Sequence, residues 1–539
     1  MTGSAPRWLA AGSNCARAAA ALRDYLRTKP PSDCVQSVAR QAEQRDELFL
    51  TALRRVAVDG PANPYREMLA LSGSSYPDVE ECVRRQGLEA ALHELRSAGV
   101  YLTQDEFKGK TPIVRAGREI PSSPGSFQNP FVKGSMRHVS SGSRGNSVVT
   151  MRSSEFTRQQ EAMHELVVRE FQLDQVAQVL LRPMLPSALG LQYCAIAARN
   201  GHRMEAWYAP GRSGPYAPAT KVLAAIARVY GCRIPWPKVI PDNDFSPVAE
   251  LVARLRKEDV ACLVSGPVSS AARLAGAALD RNLDIRGTLF LVSGESLTQG
   301  KGSVIARAGG APYARYGVSE MGFVGHACRE MKMQNRVHLY TNAVAAITHR
   351  RRAHLAELEV DSLLFTTLLP SAPHMFINFE VDDSGVLEKT NCDCEFSRAG
   401  MRWSIRDISS FGKMTGHGVT ILGTDLVRLL EQILPARLGG HPGDYQLVEL
   451  EGAGQTILEL RVSPRVPGSS IEKIRACFME ELGSIYGGAL AKRIWTHSDA
   501  LKVVLAEPFV THTGKVHSLH LLGAPQRISE KRTARDALA

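Results

Sequence analysis

The sequence predicts an α/β protein: a large domain of parallel strands flanked by helices, followed by a small α+β domain. Two stretches carry that prediction. Between residues 245 and 296 short apolar runs alternate with helical patterns, and beyond about 410 the pattern changes to a hairpin, an amphipathic helix and a further strand. A chain of 539 residues is also too long for one hydrophobic core.

Residues 1–110 are Ala/Leu/Arg-rich and predict a mostly helical leading region; "DVEECVRRQGLEAALHELRSAG" has helical spacing and a terminal glycine stop. The first residues resemble a transit peptide in composition, but "CARAAAALRDYL" reads as a helix, so a cytoplasmic protein is expected. In "FSPVAELVARLRKED", Ser246 is the expected N-cap and Pro247 the first helical position. Val248, Leu251, Val252 and Leu255 then share one face. "VACLVSGP", "SSAARLAGAALDRN" and "GTLFLVSGES" follow as strand, helix and strand. Nearly continuous apolar strands imply a parallel sheet covered on both faces. Ligands bind beyond the carboxyl ends of such strands, where Gly294 and Glu295 of "SGES" stand.

In the C-terminal part "YQLVELEGAGQTILELRV" predicts a hairpin. "SSIEKIRACFMEELGSIY" predicts a helix with Ile471, Ile474, Phe478, Leu482 and Ile485 in register and a Ser469–Glu472 capping box. The small domain is expected over 408–525, with a polar tail over 526–539, leaving 1–407 to the large domain.

Composition excludes several classes. Hydrophobic residues at 44% and charged residues at 22% fit an ordinary globular protein, and no apolar run is long enough for a bilayer. The net charge of +11 comes from 65 basic and 54 acidic residues, interspersed and without aromatic interleaving. That argues against nucleic acid and leaves an acidic ligand or acidic partner protein as the alternative to a solvated basic surface. Ten cysteines in a chain this long do not make a disulfide framework.

The chemistry-bearing stretches are few. "SSGSRGN" (140–146) has the makings of a phosphate cradle. Gly142 and Gly145 let backbone N–H groups approach closely, the hydroxyls of Ser140, Ser141 and Ser143 donate to phosphate oxygens, and Arg144 adds a cation. It is followed by "YGVSEMG" (316–322), "TTLLPSAPHMFINFEVDDSG" (366–385), "SFGKMTGHGVTI" (410–421) and "FVTHTGKVHSL" (509–519).

In this order and spacing the motifs resemble those of the adenylate-forming ligases, over roughly residues 110–522. The nearest resemblance is to the branch of the phenylacetate–CoA ligases and the acyl-protein synthetases of bacterial luminescence. The resemblance implies ATP at "SSGSRGN", with Arg144 where the family usually has threonine and Asn146-Ser147 where it has a Lys-Pro-like pair. It assigns adenine stacking to Tyr316, with Gly317 beside it, the α-phosphate to Ser319 and Mg²⁺ to Glu320. A single carboxylate plus phosphates suits that hard cation. Asp383 aligns with the ribose-binding aspartate, one residue from Asp382, and Asn378-Phe379 replaces the usual Arg-Tyr. Lys413 is the hinge candidate, with Arg406 or Asp407 as rivals. Lys515 stands where the family carries its catalytic lysine.

Some relatives in that branch carry a Cys-His-Cys-Cys zinc site. Here it implies Cys328, His338, Cys392 and Cys394, with His326 as an alternative nitrogen ligand; four such ligands make a closed structural site. The activity implied is Mg·ATP-dependent formation of an acyl-adenylate from a carboxylic acid, then transfer to the thiol of coenzyme A or of an acidic acyl-carrier protein, with rotation of the small domain between the steps. Rival readings are an acyl-protein synthetase or amide-forming ligase, and a non-catalytic scaffold on the same fold. The segment "QYCAIAARNGHRMEAWYAPG" is expected near the acyl pocket.

Overall fold

A computed structural model describes residues 7–28, 33–61, 63–132, 136–139, 149–185, 187–211, 217–352, 359–410, 414–416, 419–421, 423–452, 455–468, 470–484, 501–511, 514–522 and isolated positions between 485 and 500. The "SSGSRGN" loop with Ser140, Ser141, Gly142, Ser143, Arg144 and Gly145, and the hinge candidate Lys413, lie outside the described residues.

The leading region is helical, with helices such as Cys34–Glu43, Tyr76–Gln86 and Leu88–Ser97. Behind it lies one thirteen-stranded sheet. Its long strands are β1 (Ala177–Leu181), β2 (Met204–Pro210), β3 (Pro237–Ile240), β4 (Cys262–Pro267), β5 (Leu289–Ser293), β6 (Ala311–Val318), β7 (Gly322–His326), β8 (Arg336–Leu339), β9 (Val344–Arg352), β10 (Glu359–Thr367), β11 (Phe379–Lys389) and β12 (Trp403–Ser410). They run in the order β9-β10-β11-β12-β8-β7-β6-β5-β4-β1-β2-β3, and Leu102–Thr103 pairs with β11.

From β6 to β3 every neighbouring pair is parallel. From β6 to β9 every pair is antiparallel. The parallel expectation, drawn from the strand–helix–strand stretch, holds there, and the strands after residue 318 are antiparallel. The tight turn between β6 and β7 reverses the chain, and no crossover helix intervenes. The parallel half reads apolar because it is covered on both faces: β1 and β4 are buried at every position. Their carboxyl ends, at Leu181, Pro267, Ser293 and Val318, fall on one edge of the sheet.

The helix after β3 spans Ser246–Lys257 and buries Val248, Leu251, Val252 and Leu255, as its spacing predicts. Ser246 is its first residue and not its cap; the carboxylate of Asp244 takes the Ser246 N–H at 2.9 Å.

The small C-terminal domain has a four-stranded sheet of β13 (Tyr445–Gly452), β14 (Gln455–Val462), β15 (Leu501–Leu505) and β16 (Leu519–Leu522), in the order β15-β14-β13-β16. β13 and β14 form the expected hairpin. The helix Ile471–Leu482 packs on this sheet, and Ile474, Phe478, Leu447, Leu458, Leu460 and Trp495 build a separate core. Its cap is Ser470, whose hydroxyl accepts from the Lys473 N–H at 3.2 Å; Ser469 lies outside the described residues. Ile471 faces solvent at 42% exposure, so the apolar stripe starts at Ile474. No helix among the described residues is long and apolar enough to cross a membrane.

Candidate active site

A cavity of about 130 Å³ opens at the carboxyl ends of the parallel strands. Its walls come from the helices Ser154–Phe171 and Leu189–Arg199, from the segment after β1, and from the ends of β5 and β6. Ser293, Gly294, Gly317, Ser319 and Lys515 all line it. Gln192, Tyr193 and Ile196 line it as well, so the first part of the 192–211 segment does face this space.

Lys515 reaches the cavity from the small domain. The turn that carries it is closed by the Gly514 N–H on the Thr511 carbonyl and the Thr511 N–H on the Lys515 carbonyl, both at 2.8 Å. Gly514 takes φ +78°, a conformation glycine adopts at little cost. Two serines at the start of the helix Val268–Asp280 dock the turn. The Ser269 hydroxyl accepts from the Val516 N–H, and the Ser270 hydroxyl donates to the Gly514 carbonyl, each at 3.1 Å.

The lysine then crosses directly over Gly294. A Cβ on Gly294 would lie 2.7 Å from Lys515 Cε and 3.0 Å from Nζ, and Gly294 itself has φ +85°. Burial pushes the Lys515 ammonium below its ordinary pKa; Glu295 pulls it up, Arg182 adds to the lowering, and Asp383 pulls it up again. The same interactions place Arg182 and Asp383 within electrostatic reach of the ammonium.

Glu295 lies behind the cavity lining. Its carboxylate accepts from the Ser269 hydroxyl at 2.7 Å and pairs with Lys301 at 3.2 Å. Burial opposes its charge, yet Lys301, His517, Ser269 and Lys515 outweigh burial and hold the carboxyl below its ordinary range.

The remaining expected residues lie at the β6–β7 turn and on β11. The Tyr316 hydroxyl donates to Asp383 at 2.7 Å, and Asp383 also accepts from Ser410 at 2.7 Å. Asp382, the neighbour one position off, has φ +59°. Ser319 turns its carbonyl to Arg152 at 3.3 Å. Glu320 is 4% exposed; burial raises its carboxyl, against the pull of Lys108 and Arg152. A buried carboxylate beside a cavity, with its charge disfavoured, fits a divalent cation as counter-charge. Asn378 donates to the Leu92 and Val100 carbonyls at 2.8 and 3.2 Å, tying β11 to the leading helices; Asn378 is thus a structural staple.

Of the hinge rivals, Arg406 pairs with Glu388 at 3.2 Å and Asp407 has φ +55° on β12.

Sequence reasoning missed Arg152, Arg182 and Arg315. All three line the cavity and are buried. No motif singles out Arg315; only the strand order encloses it.

The metal-site residues converge beside β7 and β8, where His338 is paired in register with His326. The ligand atoms of Cys328, His338, Cys392 and Cys394 all lie within 4.8 Å of one another. His338 Nδ1 is held by the Met401 carbonyl at 2.9 Å, which turns Nε2 to Cys392 Sγ at 3.1 Å and Cys394 Sγ at 3.3 Å. Cys392 and Cys394 Sγ are 3.4 Å apart, and the Ser397 N–H points at Cys394 Sγ at 3.4 Å. Zn–S bonds of ~2.3 Å place tetrahedral ligands about 3.8 Å apart, so these residues fit zinc. Glu170 braces both segments, accepting from the Arg329 and Glu395 N–H groups at 2.8 and 2.9 Å. His326 is not in the cluster; its Nδ1 bonds the Ala327 carbonyl and its ring lines the cavity. The nine described cysteines are free thiols.

No protein-family model matches the chain, and no curated protein matches it in sequence. Solved structures of low similarity align with it. A 2-hydroxyisobutyryl-CoA ligase in complex with 2-HIB-AMP and CoA is 14% identical, covers 95% of this chain and 97% of its own, and has a TM-score of 0.44. The O-succinylbenzoate coenzyme A synthetase of Bacillus subtilis, in complex with ATP and magnesium ion, is 12% identical over 84% of this chain and 91% of its own, with a TM-score of 0.37. An amide bond synthetase of Marinactinospora thermotolerans is 11% identical over 93% of this chain and 99% of its own, with a TM-score of 0.35.

Proposed function

We propose that the chain is an ATP-dependent, AMP-forming acid–thiol ligase of the phenylacetate–CoA ligase-like branch. A carboxylate attacks the α-phosphate of ATP, pyrophosphate leaves, and the acyl-adenylate then passes its acyl group to the thiol of coenzyme A or of a carrier protein. One observation carries the reading: the small domain delivers a buried lysine, Lys515, across Gly294 to the carboxyl ends of the parallel strands, beside Ser319 and within reach of Asp383. An enclosed cation at that place neutralises charge as a carboxylate and a phosphate meet, and positioning plus charge neutralisation is most of what this displacement needs.

Under this reading Tyr316 and Gly317 bound the adenine, Asp383 accepts from the ribose hydroxyls, and Ser319 donates to the α-phosphate. The 140–146 loop holds the outer phosphates and Lys413 serves the hinge. Glu320 holds Mg²⁺, which supplies charge to the phosphates. Cys328, His338, Cys392 and Cys394 hold a structural zinc ion. The cluster joins the segment after β7 to the segment after β11, and those strands adjoin the Tyr316 and Asp383 positions.

ATP–pyrophosphate exchange tests the reading over a panel of aryl, short-chain, long-chain and dicarboxylic acids. Exchange that depends on the acid is expected. Its absence with every acid, in protein that binds ATP, would leave the scaffold reading standing.

A further inference from the structure

The cavity holds a row of cations with too few anions. Arg182 follows β1 directly, and Arg315 lies on β6; β5 and β4 run between them. Their side chains converge over those middle strands. Arg182 donates to the hydroxyl of Ser293 on β5, and Arg315 donates to the hydroxyl of Ser265 on β4 at 3.1 Å. Arg182 is within electrostatic reach of both Lys515 and Arg315, so the three charges run in sequence from the reaction end inwards.

Among the described residues neither guanidinium has an ion-pair partner. Glu295, the acid whose charge acts on Arg182, is already taken up by Lys301 and Ser269. Arg315 is 8% exposed, and its Nε is buried without a hydrogen-bond partner. Its guanidinium lies 4.2 Å from the centre of the Phe323 ring and 5.7 Å from that of Tyr193. The rings fix its plane but supply no negative charge. Two buried like charges repel, and burial together with Arg315 lowers Arg182 to about 9. Such an arrangement is costly in an empty pocket and favourable once an anion enters.

Arg315 points away from the Tyr316–Asp383 pair, where the proposed function puts the adenine and ribose. Successive residues of a strand face opposite sides. Tyr316 turns its hydroxyl to Asp383, while Arg315 faces Tyr193 and Phe323 on the other side of β6. The walls combine apolar Met163, Val167 and Ile196 with His164, Gln192 and His326.

We propose that the acid this site activates carries a second anionic group of the carboxylate class, and that Arg315, backed by Arg182, binds it while Lys515 attends the reacting carboxylate. This deepens the adenylation reading and rests on it for the role of the first carboxylate.

Direct calorimetric binding to the full chain, without ATP, tests the proposal separately from that reading. The probes are matched pairs: glutarate against pentanoate, and isophthalate against benzoate. The dicarboxylate of at least one pair is expected to bind about 10²-fold more tightly than its partner, and Arg315→Met should abolish that preference. Arg315→Gln, which keeps a polar group for Ser265, should do the same and serves if the Met variant does not fold. Equal binding within both pairs to the wild type overturns the proposal. So does a preference that survives in a folded variant. In exchange assays the variants should raise KM for the dicarboxylate and leave KM for ATP unchanged; a rise confined to ATP would reassign Arg315 to the phosphates and overturn the proposal. If diacids bind selectively yet no acid supports exchange, the adenylation reading fails and the dianion site stands.

Discussion

At the residue scale the site depends on one missing side chain. Gly294→Ala would place a methyl 2.7 Å from Lys515 Cε, in a backbone conformation that a Cβ disfavours. The lysine must then leave its track. We expect Gly294→Ala and Lys515→Ala each to lower acyl-adenylate formation by about 10²–10³, read by pyrophosphate exchange. Acyl transfer from preformed adenylate should survive in the Lys515→Ala protein; an equal loss in both half-reactions would argue against rotation of the small domain. The charge also sets a pH limit. Burial lowers the Lys515 pKa in the folded protein, and the active form is protonated, so exchange should decline with rising pH before the ordinary lysine range is reached. In that same interval the unfolded chain binds the extra proton, so this group makes stability rise with pH. Lysine and glycine were legible in "SGES" and "HTGK" because each stands in a motif. Arg182 and Arg315 were not, since an arginine beside an apolar run looks like a surface residue until the strand order shows it enclosed.

At the element scale, helices and parallel strands followed from periodicity, and the deviations have local causes. Phe245 holds the cap position of Ser246–Lys257, with Asp244 one residue earlier taking the Ser246 N–H, and Ser470 caps Ile471–Leu482, because several oxygen-bearing side chains compete within a few residues of each helix start. The antiparallel half of the sheet was hidden because its strands, such as β9 and β12, lack a clean alternation. The Cys328, His338, Cys392 and Cys394 group joins the segment after β7, the strand β8 and the turn after β11. Metal analysis of protein purified without chelator should give about one zinc per molecule. Cys392→Ser should lose the zinc and lower Tm, because metal-binding free energy is here folding free energy. Zinc-free wild-type protein with an unchanged Tm in chelator would defeat the assignment.

At the scale of the whole molecule, the junction of the two domains is a buried charge cluster, which no sequence motif announced. Lys301 of the large domain lies 3.2 Å from Glu295 and 3.1 Å from Glu431 of the small domain. Thr298 and Ser518 donate to the same Glu431 carboxylate. Burial disfavours the Lys301 charge, but Glu431 and then Glu295 outweigh burial and raise its pKa. Both carboxylates share the Lys301 ammonium, and among the described residues Glu431 pairs with no other cation. Lys301→Met keeps the bulk and removes the charge, so Glu295 and Glu431 would face each other in a dry interface. Breaking a buried pair in this way typically costs about 3–5 kcal/mol. The domains can relieve that cost by separating, because the core around Phe478 and Leu447 belongs to the small domain alone. The variant should therefore remain folded by circular dichroism, expose the segment around Gly423 to protease, and lose adenylation, since undocking withdraws Lys515 from the cavity. Transfer from preformed adenylate should persist. Glu295→Gln and Glu431→Gln, added to Lys301→Met, remove the repulsion and should restore protease resistance and part of the exchange activity. A Lys301→Met protein that stays protease-resistant and exchanges at wild-type rate would mean that the cluster does not hold the domains together.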